Sequence, residues 1–145
     1  MARLPRRVLL PEYGVFHVTA RGVNRCVIFH DTFDYRLFEN LLTIVQRREK
    51  LRIEAYCLMP NHFHAVIETA RERLSRAMHW LNGLYAQSYN ARYERVGHLF
   101  QSRFHAKSIG DDEYLTTACD YVWNNPVRAG LCEQAHEWPW SGRIR

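Results

Sequence analysis

The chain has 145 residues, enough for one domain with a buried core, and its 47% hydrophobic content excludes a disordered chain. The formal net charge is +5, and 18 of the 20 basic residues are arginine, with only Lys50 and Lys107 as lysines. No run of about 18 apolar residues occurs, which excludes a membrane-spanning helix. The short basic start lacks the long apolar stretch of a secretory leader, which points to a cytoplasmic protein.

Arginine grips phosphate with two parallel donors and stacks on bases. A GC-rich coding sequence enriches arginine too, so charge alone supports a nucleic-acid partner only in part. Cys26, Cys57, Cys119 and Cys132 lie far apart with no CxxC pair. They read as small buried hydrophobes in a reducing compartment, and their spacing argues against a zinc ribbon.

In chain order, residues 1–10 form a basic arm. Val15–Arg21, "VFHVTAR", alternates as a strand between Gly14 and Gly22, and Cys26–Phe29 reads as a short extension of it. Asp31 is placed to cap a helix over Thr32–Glu49, with Phe33, Leu37, Leu41, Ile44 and Val45 at helical spacing. Arg52–Leu58 and His62–Thr69 are strands joined by the turn residues Pro60 and Asn61.

Leu74, Met78, Leu81, Tyr85 and Tyr89 predict a second helix over about Arg73–Arg92. A strand follows near Phe104–Ile109. A third helix starts at Asp111-Asp112 and runs to about Asn124, where Pro126 stops it. Residues 132–145 form a tail whose "WPW", Trp138–Trp140, is placed to lie on the core as a lid. No linker or repeat divides the chain, so residues 1–145 read as one domain. The order βαββαβ matches a ferredoxin-like α+β sandwich with an antiparallel sheet and its helices on one face. The third helix is left over.

The stretch "LMPNHFHAVIE", Leu58–Glu68, carries the first chemistry. Residues i and i+2 of a strand share a face, so His62 and His64 project together while Phe63 points away. Two neutral imidazoles so placed suit one divalent cation, or else are two polar residues satisfied by the fold. Glu68 shares their face two positions further along, and a third ligand has to come from elsewhere. On the leftover helix Leu115, Cys119 and Val122 form the apolar stripe. Tyr121 lies at its flank, with Asn125 four residues on and nearly above it. Read singly, Tyr121 is a packing aromatic and Asn125 a helix-stop residue.

Together "VTARGVNR", "MPNHFHAVIE", "GHLFQSRF", "YVWNNPVRAGL" and "WPWS" resemble, in order, the signature blocks of the single-tyrosine HUH transposases. These are the insertion-sequence-200-like enzymes and the REP-associated tyrosine transposases, and the resemblance covers almost the whole chain. It implies a ferredoxin-like fold whose C-terminal helix carries a nucleophilic tyrosine. His62 and His64 fall on the histidine positions of the HUH motif, Tyr121 on the nucleophile, and Asn125 on the polar position that completes the metal site. Phe63, Ala65, Phe100 and Gly142 depart from common family choices at packing positions.

The resemblance further implies a metal-dependent single-stranded DNA endonuclease and strand transferase that uses Mg²⁺ or Mn²⁺. Its intermediate would be a 5′-phosphotyrosine and its substrate hairpin or palindromic repeat DNA, with the protein a monomer or homodimer. Arg21, Arg25, Arg103 and Arg128, with the N-terminal arm, are candidates for DNA contacts. Two other readings stand beside it: a non-catalytic ferredoxin-like module holding single-stranded nucleic acid, though without the strand aromatics of RRM domains, and a structural zinc protein.

Overall fold

The computed structural model describes residues 10–144, so the expected basic arm lies, except for Leu10, outside the described residues. The elements in order are β1 (Tyr13–Arg21), α1 (Thr32–Arg48), β2 (Arg52–Met59), β3 (His62–Ala70), α2 (Arg71–Arg92), β4 (His105–Ile109), α3 (Asp112–Trp123), α4 (Asn125–Arg128) and β5 (Ser141–Arg143). The five strands make one antiparallel sheet of order β4-β1-β3-β2-β5. β1 to β4 with α1 and α2 form the expected ferredoxin-like sandwich.

Strand alternation sends Phe16, Val18 and Ala20 of β1 and Phe63, Ala65 and Ile67 of β3 into one core with Phe38, Leu74, Leu81 and Tyr85 of the two long helices. Burying each of the larger side chains stabilises the fold by about 1.5–3 kcal/mol. A buried carboxylate pins the start of α1 to the end of α2. Asp34 accepts from the His30 amide at 2.9 Å, from Arg92 Nη1 at 2.6 Å and from the Tyr93 hydroxyl at 2.6 Å. Asp31 caps α1 through the Asp34 amide at 3.1 Å, as its position predicts.

Several expectations change in detail. The buried stripe of α1 is Tyr35, Phe38, Leu41, Leu42 and Val45. Phe33 and Ile44 face outward, 59% and 49% exposed, and the Arg92 guanidinium carbon sits 4.7 Å over the Phe33 ring. Cys26–Phe29 is not a strand: its backbone turns inward, and the Ile28 and Phe29 amides donate to the Pro60 carbonyl at 2.8 and 3.1 Å. The tail does pack as a lid, Trp140 stacking on Tyr35 at 4.8 Å, but it also adds β5 to the edge of β2.

The two sandwich helices α1 and α2 share one face, as expected, and the leftover helix takes the other. α3 covers the opposite side of the sheet, where Leu115, Cys119 and Val122 pack on Ala55, Cys57, Met59 and Val66 in a second, smaller core. The runs Cys57-Leu58-Met59 and Ala65-Val66-Ile67 are buried on both faces, and such unbroken apolar strand segments belong to sheets covered on both sides. Pro126 does not simply end the third helix either. α3 stops at Trp123, Asn124 caps it, and Pro126 lies in the first turn of the short α4. A helix tolerates proline there, because the first-turn N–H groups have no intrahelical partner.

Candidate active site

His62 and His64 stand on the α3 face of β3, their ring centroids 5.0 Å apart. In register on β1, Thr19 lies opposite His64 and Arg21 opposite His62. His62 Nδ1 lies 2.6 Å from Asn61 Oδ1, and the Asn61 amide nitrogen donates to the Arg25 carbonyl at 3.4 Å. Asn61 Oδ1 can only accept, so His62 carries its proton on Nδ1 and Nε2 keeps a lone pair.

A third histidine, which spacing alone did not single out, completes the row. His17 Nε2 on β1 lies 2.9 Å from His64 Nδ1. One proton is shared in that contact. When His64 donates it, His64 Nε2 is bare as well. Burial pushes all three imidazoles toward the neutral form. His62 falls to about 4 through burial and Arg21, and His64 to about 3 through burial, then His62, His17, Arg128 and Arg21. His17 is lowered by burial and then by Lys107.

α3 brings Tyr121 onto this row. Its ring lies 6.0 Å from that of His17 and 6.2 Å from that of His64, both edge-on, and the residue is 49% exposed. Leu115, Cys119 and Val122 anchor the helix to the sheet, which leaves the flanking Tyr121 over the histidines. The Arg128 guanidinium carbon sits 3.8 Å from the centre of the Tyr121 ring. Arg128 Nη2 also donates to the Tyr121 carbonyl at 2.6 Å and lies 3.5 Å from Asn125 Oδ1. Asn125 does not continue the Tyr121 helix as the spacing suggested; it opens α4 beyond the break. Its amide nitrogen is buried with no hydrogen-bond partner among the described residues.

Beside the histidines is a cleft of about 310 Å³ walled by Thr19, Arg21, Gln101, Arg103 and His105. Of the four arginines singled out, Arg21 and Arg103 line the cleft and Arg128 covers Tyr121. Arg25 stands exposed in the turn after β1 and offers its carbonyl to Asn61. Glu68 is too far along β3 to join the site; it accepts from the Tyr13 hydroxyl at 3.3 Å instead. Among the described residues no set of three His, Cys, Asp or Glu is arranged to hold a metal, so a cation on the two histidines needs another kind of donor. The four cysteines are free, burial pushes the Cys57 thiol up to about 12, and among the described residues no cysteine belongs to a group of three metal-binding side chains. α3 covers Ala55, Cys57, Met59 and Val66 on this face, and the β1 and β3 ends beside it stay open at the cleft.

The family model described as "Transposase IS200 like" matches residues 13–125. A REP-associated tyrosine transposase of Escherichia coli K12 is 21% identical over 112 residues, 76% of this chain and 65% of that protein. A Haemophilus influenzae protein named provisionally as another is 26% identical over 98 residues, 60% of this chain and 56% of that one. The chain thus spans less than two thirds of the length of either curated relative. A REP-associated tyrosine transposase solved bound to a REP hairpin shares the fold with a TM-score of 0.73 at 20% identity, covering 97% of this chain and 82% of that one. A Deinococcus radiodurans structure, provisionally named a transposase, has a TM-score of 0.55 at 13% identity, with coverage of 86% and 97%. With its fold and more than half of its length matched by the family model, the chain belongs to the IS200-like transposase family.

Proposed function

We propose that this chain cuts and rejoins single-stranded DNA through a covalent bond to Tyr121, acting next to a hairpin of palindromic repeat DNA. The observation that carries the reading is the convergence on one sheet face of an exposed phenol and a row of neutral imidazoles. The donor set fits a divalent cation, Mg²⁺ or Mn²⁺. His62 Nε2 is bare, the His17 contact engages His64 Nδ1 and leaves Nε2 as its ligand atom, and the Asn125 amide oxygen, held only by a long 3.5 Å contact from Arg128 Nη2, can supply a third donor. A cation held by His62, His64 and Asn125 would supply Lewis-acid withdrawal of charge from the scissile phosphate.

The remaining chemistry belongs to the chain. The Tyr121 hydroxyl attacks phosphorus, losing its proton as the P–O3′ bond breaks. The 3′ oxygen takes up a proton and leaves as a hydroxyl, and the 5′ phosphate stays esterified to Tyr121. Attack by the same or another 3′-hydroxyl reverses the step and joins strands without ATP. Arg128 holds the Tyr121 ring from above and brings a cation beside the attacked phosphate. Arg21 and Arg103 line the cleft for flanking phosphates. The closeness of Tyr121 and His64 within one chain supports cleavage in cis, which a monomer as well as a homodimer performs. No helix among the described residues is long and apolar enough to cross a membrane, and a DNA substrate favours a cytoplasmic site of action.

The test is a denaturation-resistant adduct between the protein and a labelled single-stranded hairpin oligonucleotide in Mg²⁺ or Mn²⁺. Adduct formation that disappears in Tyr121→Phe is the expected result. Tight binding with no adduct on any hairpin substrate would replace it with the non-catalytic reading.

A further inference from the structure

We infer that the groove between α2 and the 97–104 loop is a second site on the same DNA, taking an unstacked nucleobase of the single strand that leaves the cleft. This rests on the proposed DNA activity and adds a subsite to it.

The groove holds about 940 Å³. Its floor is apolar, formed by Met78, Leu99 and Phe104. His79, His98 and Arg103 are on its walls, and no aspartate or glutamate lines it. Arg103 has no carboxylate partner among the described residues, while Arg76 at the far end is held by Glu49 at 3.2 Å. An apolar floor with a cationic, carboxylate-free wall matches a nucleotide, which has a flat π-face and an anionic backbone. It does not match a basic-rimmed or purely apolar partner.

Two features of α2 are unexplained by the fold itself. Gly83 lies in the interior of a 22-residue helix, where glycine is among the least favoured residues, yet a Cβ added there meets nothing within 4 Å. The open space is the groove. Next to it Asn82 keeps a buried amide oxygen with no hydrogen-bond partner among the described residues.

The groove is also continuous with the candidate active site. Gln101, Ser102 and Arg103 wall both the cleft and the groove. The Gln101 amide donates to the Arg21 carbonyl at 2.8 Å, and Gly22 pairs with Phe100, so the loop is a fixed ridge at the end of β1. A strand leaving the histidine cleft crosses this ridge past Arg103 and reaches the groove without leaving cationic surface.

The experiment compares hairpin probes with single-stranded flanks of about 2 or about 10 nucleotides, spanning the usual range of single-strand site sizes. Binding is read by fluorescence anisotropy in a Tyr121→Phe background. Gly83→Leu puts a side chain into the groove from a position with open space. It should weaken binding of the long-flank probe about tenfold, which is the scale of one lost stacked base. The short-flank probe should stay within about twofold and the thermal midpoint should not fall. Gly83→Ala should keep long-flank affinity. His79→Glu, an exposed wall change, should reproduce the selective loss and carries the test if Gly83→Leu lowers the midpoint. Equal effects on both probes, no effect of either blocking variant, or a change of oligomeric state in their place would overturn the groove. If the parent bound neither probe, the DNA reading itself would fall with it.

Discussion

On the α1/α2 side of the sheet, β1 and β3 present Phe16, Val18, Phe63 and Ile67 to Phe38, Leu74 and Tyr85, all fully buried or nearly so. On the α3 side the same two strands present His17, Arg21, His62 and His64, and α3 holds on through Leu115, Cys119 and Val122. One side consists of large interlocked side chains whose burial supplies most of the fold's stability. The other gives up apolar area at one end of its strands to gather three imidazoles that burial pushes toward the neutral form, with Arg21 beside them. On the proposed function, the contrast separates residues whose loss should unfold the protein from residues whose loss should disable it while it stays folded.

Tyr121→Phe tests the separation hardest. Covalent adduct formation should fall about 10³-fold or more, while the midpoint of thermal unfolding stays within about 1 °C, since the residue is half exposed and its hydroxyl makes no hydrogen bond among the described residues. Calorimetry on the same sample checks the second half, and a large drop in midpoint would mean that α3 relies on this ring. Phe63→Ala should behave oppositely. Removing a fully buried ring costs about 3–5 kcal/mol and lowers the midpoint by about 10 °C or more, with DNA binding intact below the new midpoint.

His17 sharpens the comparison on the polar side. With His17→Leu the acceptor facing His64 Nδ1 is lost, and Mn²⁺ affinity measured by titration calorimetry should drop about 10–100-fold. His17→Gln, which returns an acceptor near the same place, should recover most of it. The smallest effect concerns pH. Folded His62 and His64 titrate at about 4 and about 3, below the value of about 6.5 for an unfolded histidine. The unfolded chain therefore binds more protons below that value, so stability rises with pH. The contribution is complete above about pH 6.5 and is lost as pH falls toward 4 and 3. The metal-free protein should show a falling midpoint across this window. The fall should shrink in a His62→Gln/His64→Gln variant, and equal slopes in the two proteins would contradict the neutral-imidazole picture.

Much of the polar row was legible because it follows local periodicity. His62 and His64 share a face by the two-residue repeat, and Tyr121 flanks an apolar stripe by the helical one. His17 was hidden for the opposite reason. It sits in phase with Thr19 and Arg21 on β1, but only the β1–β3 register, a long-range pairing, brings it to His64. Asn125 was read on an unbroken helix because Pro126 looked like a terminator, whereas proline also opens a helix. The placement of α3 was available in principle in the two-sided burial of Ala65-Val66-Ile67, which needs a cover on each face. The outward turn of Phe33 was not, since its partner Arg92 lies at the far end of another helix.

The lid residues have a consequence for colloidal behaviour. β5 pairs with Ala55–Cys57 of β2, Trp140 O accepts from the Leu58 amide at 2.8 Å, and Trp138 Nε1 donates to the Leu58 carbonyl at 2.9 Å. Together they occupy the outer ladder of the sheet's more apolar border, and the opposite border is the five-residue β4 with Lys107 on it. Shortening the chain before Trp138 would bare an unpaired apolar strand ready to recruit its like from other molecules, and light scattering of such a truncate should grow with concentration where the full chain stays clear.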